Sequence, residues 1–103
     1  MQYAKIKYNK YFNENAYKEI VKMLDEIKKE NKIVGVKQCL KAVKEKRANH
    51  VLIAIDADKR VVSKLEQLCE QQELQITYVN TMKELGKAAG IDVGASTIVI
   101  VKE

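Results

Sequence analysis

The pattern of apolar and polar positions predicts alternating helices and strands along the chain. Apolar residues recur at helical spacing in four segments, and mostly β-branched runs lie between or after them. The predicted helices are Ala16–Ile27, a segment over about 37–47, a segment carrying Val61 to Cys69, and Met82–Ala89. The predicted strands are one within the apolar run Ile33–Val36 that ends at its glycine, Val51–Ile55, Ile76–Val79 and Thr97–Val101. This order predicts a three-layer α/β/α sandwich with a four-stranded central sheet, because each apolar face must be buried against another layer.

Local signals mark the ends of several of these elements. Asp58 can cap the helix that follows the second strand. Thr81, with Glu84 three residues later, has the form of a capping box. Gly90 can end the last helix, since glycine readily adopts left-handed backbone at a helix terminus. Asn49 is expected to break the helix over about 37–47.

Length and composition fit one packed domain. The chain has 103 residues, of which 47% are hydrophobic and 32% are charged. No run approaches the roughly 18 consecutive apolar residues of a membrane helix. No apolar stretch follows a basic start, as it does in a signal peptide. We therefore expect a soluble, cytoplasmic and monomeric protein with no membrane partner.

Residues 1–22 differ from the remainder and are treated as a lead segment ahead of a single domain over 23–103. The lead segment holds five lysines and two glutamates, and five of the six aromatic residues of the chain lie in its first 17 positions. Two interpretations stay open. The segment is a basic, aromatic arm that stacks on bases, or translation starts at Met23, since Lys18-Glu19 can be encoded by a ribosome-binding sequence.

The sequence contains few residues that are arranged for catalysis. The one histidine, His50, is expected at a surface or turn without a partner, and Cys39 and Cys69 are expected to be buried thiols on apolar helical faces. Asp56 and Asp58 follow a buried strand, where two carboxylates could bind the metal of a hydrolase, but helix capping and turn formation explain them more simply. The sequence therefore predicts a non-enzymatic protein with no catalytic residue, metal site or cofactor.

Positive charge is concentrated in Lys32–Arg60, which holds eight basic and three acidic residues. Within it, Gly35 leads into a helix whose first turns present Lys37, Gln38 and Lys41. Helix N-termini attract phosphate, and two lysines on that face add charge. A glutamine amide both donates and accepts, which suits reading a base edge. From this helix alone, a solvated lysine face remains an equal alternative.

A second feature favours a nucleic-acid partner. Ile91 and Val93 fall in the predicted loop Gly90–Ala95, where large apolar side chains either pack inward or meet a partner. In the predicted sandwich, the loops that follow the first helix, the last helix and the second strand converge on one edge, and the basic helix start lies beside the apolar loop. A basic helix start beside an apolar loop suits phosphates together with an unstacked base, as in structured RNA.

Three stretches together resemble the ribosomal L-seven-Ae / L-thirty-e family, and most closely its small bacterial members. They are Gly35–Gln38 with Lys41, Ile55–Asp58, and Met82–Ala95, and the likeness runs over about residues 23–101. The resemblance implies an α/β/α sandwich that binds kink-turn or similarly bent RNA, such as an rRNA or an mRNA leader, within the ribosome or another ribonucleoprotein. Archaeal members carry Asn-Glu where this chain has Lys37-Gln38.

The resemblance also implies a set of RNA-binding residues by position. By this resemblance, residues of the basic helix would meet sheared G·A pairs, and residues of the apolar loop would cover an extruded nucleotide. The full set is Gly35, Lys37, Gln38, Lys41, Asp58, Lys59, Ile91, Asp92, Val93 and Gly94. Many family members have a proline where Lys59 stands. The alternative function is a protein–protein adaptor of the same fold, which would use the apolar loop as its anchor.

Overall fold

A computed structural model describes Lys22 and residues 31–102 of the chain. The described elements are β1 (Lys32–Val34), α1 (Val36–Lys44), β2 (Ala48–Ala54), α2 (Lys59–Gln71), β3 (Ile76–Val79), α3 (Met82–Ala89) and β4 (Thr97–Val101). The predicted helix Ala16–Ile27 lies outside the described residues except for Lys22, which is helical. Within the described part of the chain, we find no helix with the length and apolar character that a bilayer span requires.

The four described strands form one mixed sheet in the order β1-β4-β2-β3. β4 runs antiparallel to both β1 and β2, whereas β2 and β3 are parallel and are joined by the crossover helix α2. Ile53 of β2 pairs with Thr97 of β4 and with Tyr78 of β3, so these three residues share one face of the sheet. Consecutive residues of β2 from Val51 to Ala54 are buried, which shows that both faces are covered.

Two side-chain contacts show which helices cover this face. The Thr97 hydroxyl donates to Sγ of Cys39 in α1 over 3.3 Å. The Tyr78 hydroxyl donates to the buried Glu66 carboxylate in α2 over 2.6 Å. Helices α1 and α2 therefore lie together on this face, while α3 packs on the sheet through β2, β3 and β4 from the other. The α/β/α sandwich predicted from the sequence is confirmed.

The start of α1 follows the prediction, whereas its end does not. β1 ends at Val34 and α1 begins at Val36, because Gly35 has a φ of 105° that turns the chain out of the strand. Helix α1 ends at Lys44, and Lys46 then adopts a φ of 58° that a continuing helix does not allow. The prediction that Asn49 breaks the helix is wrong, because Asn49 lies inside β2.

The other helix ends follow the sequence signals. Asp58 caps α2, with Oδ1 accepting from the Arg60 N–H over 2.9 Å. Thr81 caps α3, with Oγ1 accepting from the Glu84 N–H over 3.0 Å. Gly90 ends α3 in left-handed backbone with a φ of 79°. The bounds of β3, α3 and β4 are those predicted.

The environment of His50 corrects the prediction. The residue is half-buried inside β2, and its Nε2 lies 2.7 Å from the Thr77 hydroxyl oxygen of β3. A surface or turn position without a partner is therefore wrong, since the partner comes from a strand that lies far along the chain. The prediction for the two cysteines is confirmed: Cys39 and Cys69 are fully buried, and burial raises the pKa of Cys69 to about 11.

We expect the free energy of unfolding to decrease as the pH falls through the titration of His50. Burial lowers the pKa of His50 below its ordinary value of 6.5. At a pH between the pKa of His50 in the folded protein and the ordinary value of 6.5, the imidazole of the unfolded chain binds a proton that the folded chain does not bind. Acidification therefore favours unfolding. Urea titrations of wild type and His50→Gln at about pH 7.5 and about pH 5.5 measure this. The advantage of wild type over the variant should shrink at the lower pH, and an unchanged difference would contradict the assignment.

Candidate nucleic-acid interface

One edge of the sheet, here called the carboxyl edge, is where β1, β2 and β3 end and where the antiparallel β4 begins. All three fully described helices therefore start at this edge. The Gly35 N–H donates to the Thr97 carbonyl over 3.2 Å, and the Ala54 N–H donates to the Ser96 carbonyl over 2.9 Å. The start of α1 thus adjoins the first residue of β4, and the loop that precedes β4 lies at the same edge of the sheet.

The start of α1 differs from the starts of α2 and α3. Gly35 is its N-cap residue, and no side chain caps the helix. The first turn of α1 contains no acidic residue, whereas Asp58 and Thr81 cap the other two helices. The space above Gly35 is open, since a Cβ placed there would meet nothing within 4 Å. The first N–H groups of a helix carry partial positive charge and have no intrahelical partner, so this start can accept an anion.

Helix α1 presents a polar side to solvent at this edge. Lys37, Gln38 and Lys41 are exposed, while Cys39 and Val43 anchor the opposite side of the helix in the core. The two lysines lie one turn apart and therefore share a helical face. The structure places all three predicted polar residues of α1 in solvent, next to the uncapped helix start.

The loop between α3 and β4 runs back along α3. At its beginning the Ile91 N–H donates to the Gly86 carbonyl over 3.1 Å, and near its end the Ala95 N–H donates to the Met82 carbonyl over 2.9 Å. Between these bonds, the Val93 carbonyl oxygen approaches Gly86 so closely that a Cβ at Gly86 would overlap it. Gly86 therefore allows the loop to sit directly on the helix.

This packing role of Gly86 was not predicted from the sequence. A signal was present. Glycine inside a helix costs about 1 kcal/mol relative to alanine and therefore needs a packing reason. Gly94 allows the loop to lie close to α3 as well, because a Cβ at Gly94 would lie only 3.1 Å from the Met82 Cβ.

The two apolar residues of the loop have different environments. Ile91 is half-buried and packs against the core. Val93 is 70% exposed, and its neighbour Asp92 is exposed as well. Ile91 therefore fixes the loop to the domain, and Val93 is the large apolar side chain that the loop exposes to solvent.

The carboxylates after β2 act as caps. Asp56 Oδ1 accepts from the Met82 N–H at the start of α3 over 2.8 Å. Asp58 caps α2 and also pairs with the Arg60 guanidinium, which lowers the pKa of Asp58. The capping interpretation is confirmed for both residues, and Lys59, the first residue of α2, is exposed. Among the described residues, no group of three or more histidines, cysteines or carboxylates is placed to hold a metal ion.

The sheet order and the carboxyl edge define a small α/β/α domain whose three fully described helices begin at one edge of the sheet. The model of the Ribosomal protein L7Ae/L30e/S12e/Gadd45 family matches residues 18–103. The chain belongs to this family.

Two curated relatives from bacteria are both named RNA-binding proteins. The protein of Caldanaerobacter subterraneus subsp. tengcongensis is 50% identical over 66 residues, which cover 64% of this chain and 80% of the relative. The protein of Halalkalibacterium halodurans is 47% identical over 70 residues, which cover 68% of this chain and 85% of the relative.

Solved structures share the fold. The Giardia lamblia 15.5kD RNA binding protein superimposes with a TM-score of 0.74 at 26% identity, covering 88% of this chain and 78% of that protein. A protein from Bacillus halodurans C with unknown function superimposes with a TM-score of 0.64 at 24% identity, covering 69% of this chain and 71% of its own. The second likeness concerns the fold alone.

Proposed function

We propose that the protein is a non-enzymatic RNA-binding protein that recognises kink-turn or similarly bent RNA at the carboxyl edge. The observation that carries this proposal is the juxtaposition at that edge of the uncapped start of α1 and the loop that exposes Val93. Family membership and the names of the two bacterial relatives support RNA as the class of partner.

The two parts of the edge suit two parts of a bent RNA. The N–H groups at the start of α1 and the ammonium groups of Lys37 and Lys41 attract phosphates. Gln38 offers a donor and an acceptor to a base edge. Val93 gives an apolar surface to a base that has left its stack. Regular A-form RNA keeps its major groove too narrow for side chains, and a sharp bend opens it.

The proposed RNA-binding residues divide by their environment into contacts and supports. The direct contacts are Lys37, Gln38, Lys41, Lys59, Asp92 and Val93, all of which are exposed. Gly35, Ile91 and Gly94 act through the backbone they shape, and Asp58 acts through α2 and Arg60. In the cell we expect a cytoplasmic monomer that meets an rRNA or an mRNA leader, within the ribosome or another ribonucleoprotein.

Gel shifts with a kink-turn RNA and a straight duplex of equal length test the proposal at one fixed salt concentration. We expect the bent RNA to bind about tenfold more tightly, because the straight duplex offers phosphates but neither an accessible base edge nor an unstacked base. Equal affinity for the two RNAs would contradict shape recognition.

A protein–protein adaptor is the second candidate, favoured by the exposure of two large apolar residues, Val93 at 70% and Val61 at 44%. The response to salt separates the two functions. Binding of RNA weakens steeply with ionic strength because counterions are released, whereas an apolar protein contact changes little.

A further inference from the structure

The Arg60 guanidinium lies against the Asp58 carboxylate in a two-point contact. Its Nη2 donates to Oδ2 over 2.9 Å, and its Nε donates to Oδ1 over 3.3 Å. Oδ1 also accepts the Arg60 N–H over 2.9 Å, so a single carboxylate both caps α2 and orients the side chain. The Arg60 side chain is nevertheless 90% exposed.

Stability does not explain this orientation. Exposed ion pairs contribute little to the free energy of folding, and the backbone bond from Asp58 already caps α2. The contact uses Nε and Nη2 of the guanidinium, so its flat faces and Nη1 stay open to a partner. A guanidinium is planar and stacks on flat π systems, which an ammonium group cannot do.

The position of Arg60 fits such a partner. It lies in the first turn of α2, at the carboxyl edge, between exposed Lys59 and exposed Val61. Ala57 before it and Val62 after it are buried and hold this turn of the chain on the sheet, so the Arg60 side chain projects from a fixed backbone. A flat base at this edge can therefore meet a planar cation whose faces are open to solvent.

We propose that Arg60 stacks on an unstacked base of the bound RNA and that Asp58 is the positioning residue that holds its plane. This inference rests on the proposed function and adds a contact outside α1 and the loop between α3 and β4. Unstacked bases in RNA complexes commonly stack on aromatic rings or on arginine planes, and the described carboxyl edge has no exposed aromatic side chain.

Three variants separate the effects of the planar guanidinium of Arg60, of positive charge on α2, and of the orientation that Asp58 gives to Arg60. Arg60→Lys keeps the charge and removes the plane. Asp58→Asn keeps a good helix cap and removes the ionic contact that orients Arg60. Lys64→Gln is the matched control, since Lys64 is an exposed cation one turn further along the same helix.

The experiment measures dissociation constants of each protein for an intact kink-turn RNA and for the same RNA with an abasic site at the extruded nucleotide. The ratio of the abasic to the intact constant isolates contacts with that base, because phosphate and charge effects cancel in the cycle. We expect the ratio to fall about fivefold in Arg60→Lys and to stay at the wild-type value in Lys64→Gln. Asp58→Asn should lower the ratio even though loss of its negative charge strengthens both affinities.

If Arg60→Lys has the same ratio of abasic to intact dissociation constants as wild type, Arg60 does not stack on the base. If Asp58→Asn has the wild-type ratio, Asp58 does not position Arg60. The same data distinguish failure of the proposed function. If wild type binds bent and straight RNA equally, both proposals fall, whereas a clear preference for bent RNA with no effect at Arg60 removes this inference alone.

Discussion

A Gly86→Ala variant should lose both thermal stability and RNA affinity. The new Cβ would overlap the Val93 carbonyl oxygen, which is backbone and cannot rotate away, so the loop must move off α3. Overpacking of this kind costs about 1–3 kcal/mol of unfolding free energy. For a domain of this size each kcal/mol lowers the melting temperature by about 4–8 °C. RNA affinity should fall about tenfold or more, because the displaced loop carries Val93.

Thermal melts and gel shifts below the melting temperature of the variant measure the two losses separately. Gly90→Asn is the matched control. Gly90 has a φ of 79°, asparagine tolerates left-handed backbone, and nothing lies within 4 Å of a Cβ at this position. The control should stay close to wild type in both measurements. A Gly86→Ala protein with wild-type melting and affinity would show that the loop does not rest on α3.

Replacing Lys37 and Lys41 together should weaken RNA binding by a larger factor than any other pair of substitutions discussed for this edge. Each alanine substitution should cost about 1–3 kcal/mol of binding free energy if the lysine contacts a base. A lysine that contacts phosphate should instead reduce the slope of log affinity against log salt by about one. Both side chains are exposed, so the fold should be unaffected.

Titrations of the single and double variants at several salt concentrations assign each lysine to one of these classes. Lys44→Ala is the control, because Lys44 is an exposed lysine at the far end of the same helix. It should retain wild-type affinity. If Lys44→Ala weakens binding as much as Lys37→Ala, the basic face of α1 acts as a diffuse charge and the helix start has no special role.

The elements that the sequence predicted most accurately are those set by local chemistry. β3, α3 and β4 have the predicted bounds because Thr81 and Gly90 fix the helix ends and β-branched runs fix the strands. The end of α1 was predicted too far along the chain, because it depends on the backbone angle at Lys46. Lysine gives no sequence signal for a positive φ, so the end of that helix could not be read from its composition.

The sequence predicted those features of the candidate site that follow from the order of its helices and strands. The sequence placed the start of α1 and the loop after α3 at one edge, and there the Gly35 N–H donates to the carbonyl of Thr97, the first residue of β4 after that loop. The supporting contacts were not predictable, because they join residues far apart along the chain. Examples are the bond from Met82 to Asp56 and the hydrogen bond between His50 and Thr77.

The close seat of the loop on α3 has a consequence for the thermodynamics of association. Hydrogen bonds to Gly86 and Met82 fix both ends of the loop, and the glycine contact fixes its middle. Val93 is therefore carried on a preorganised segment, and little conformational entropy remains to be lost when a ligand arrives. The apolar part of this surface should accordingly behave as a rigid template, to which the nucleic acid does most of the adapting.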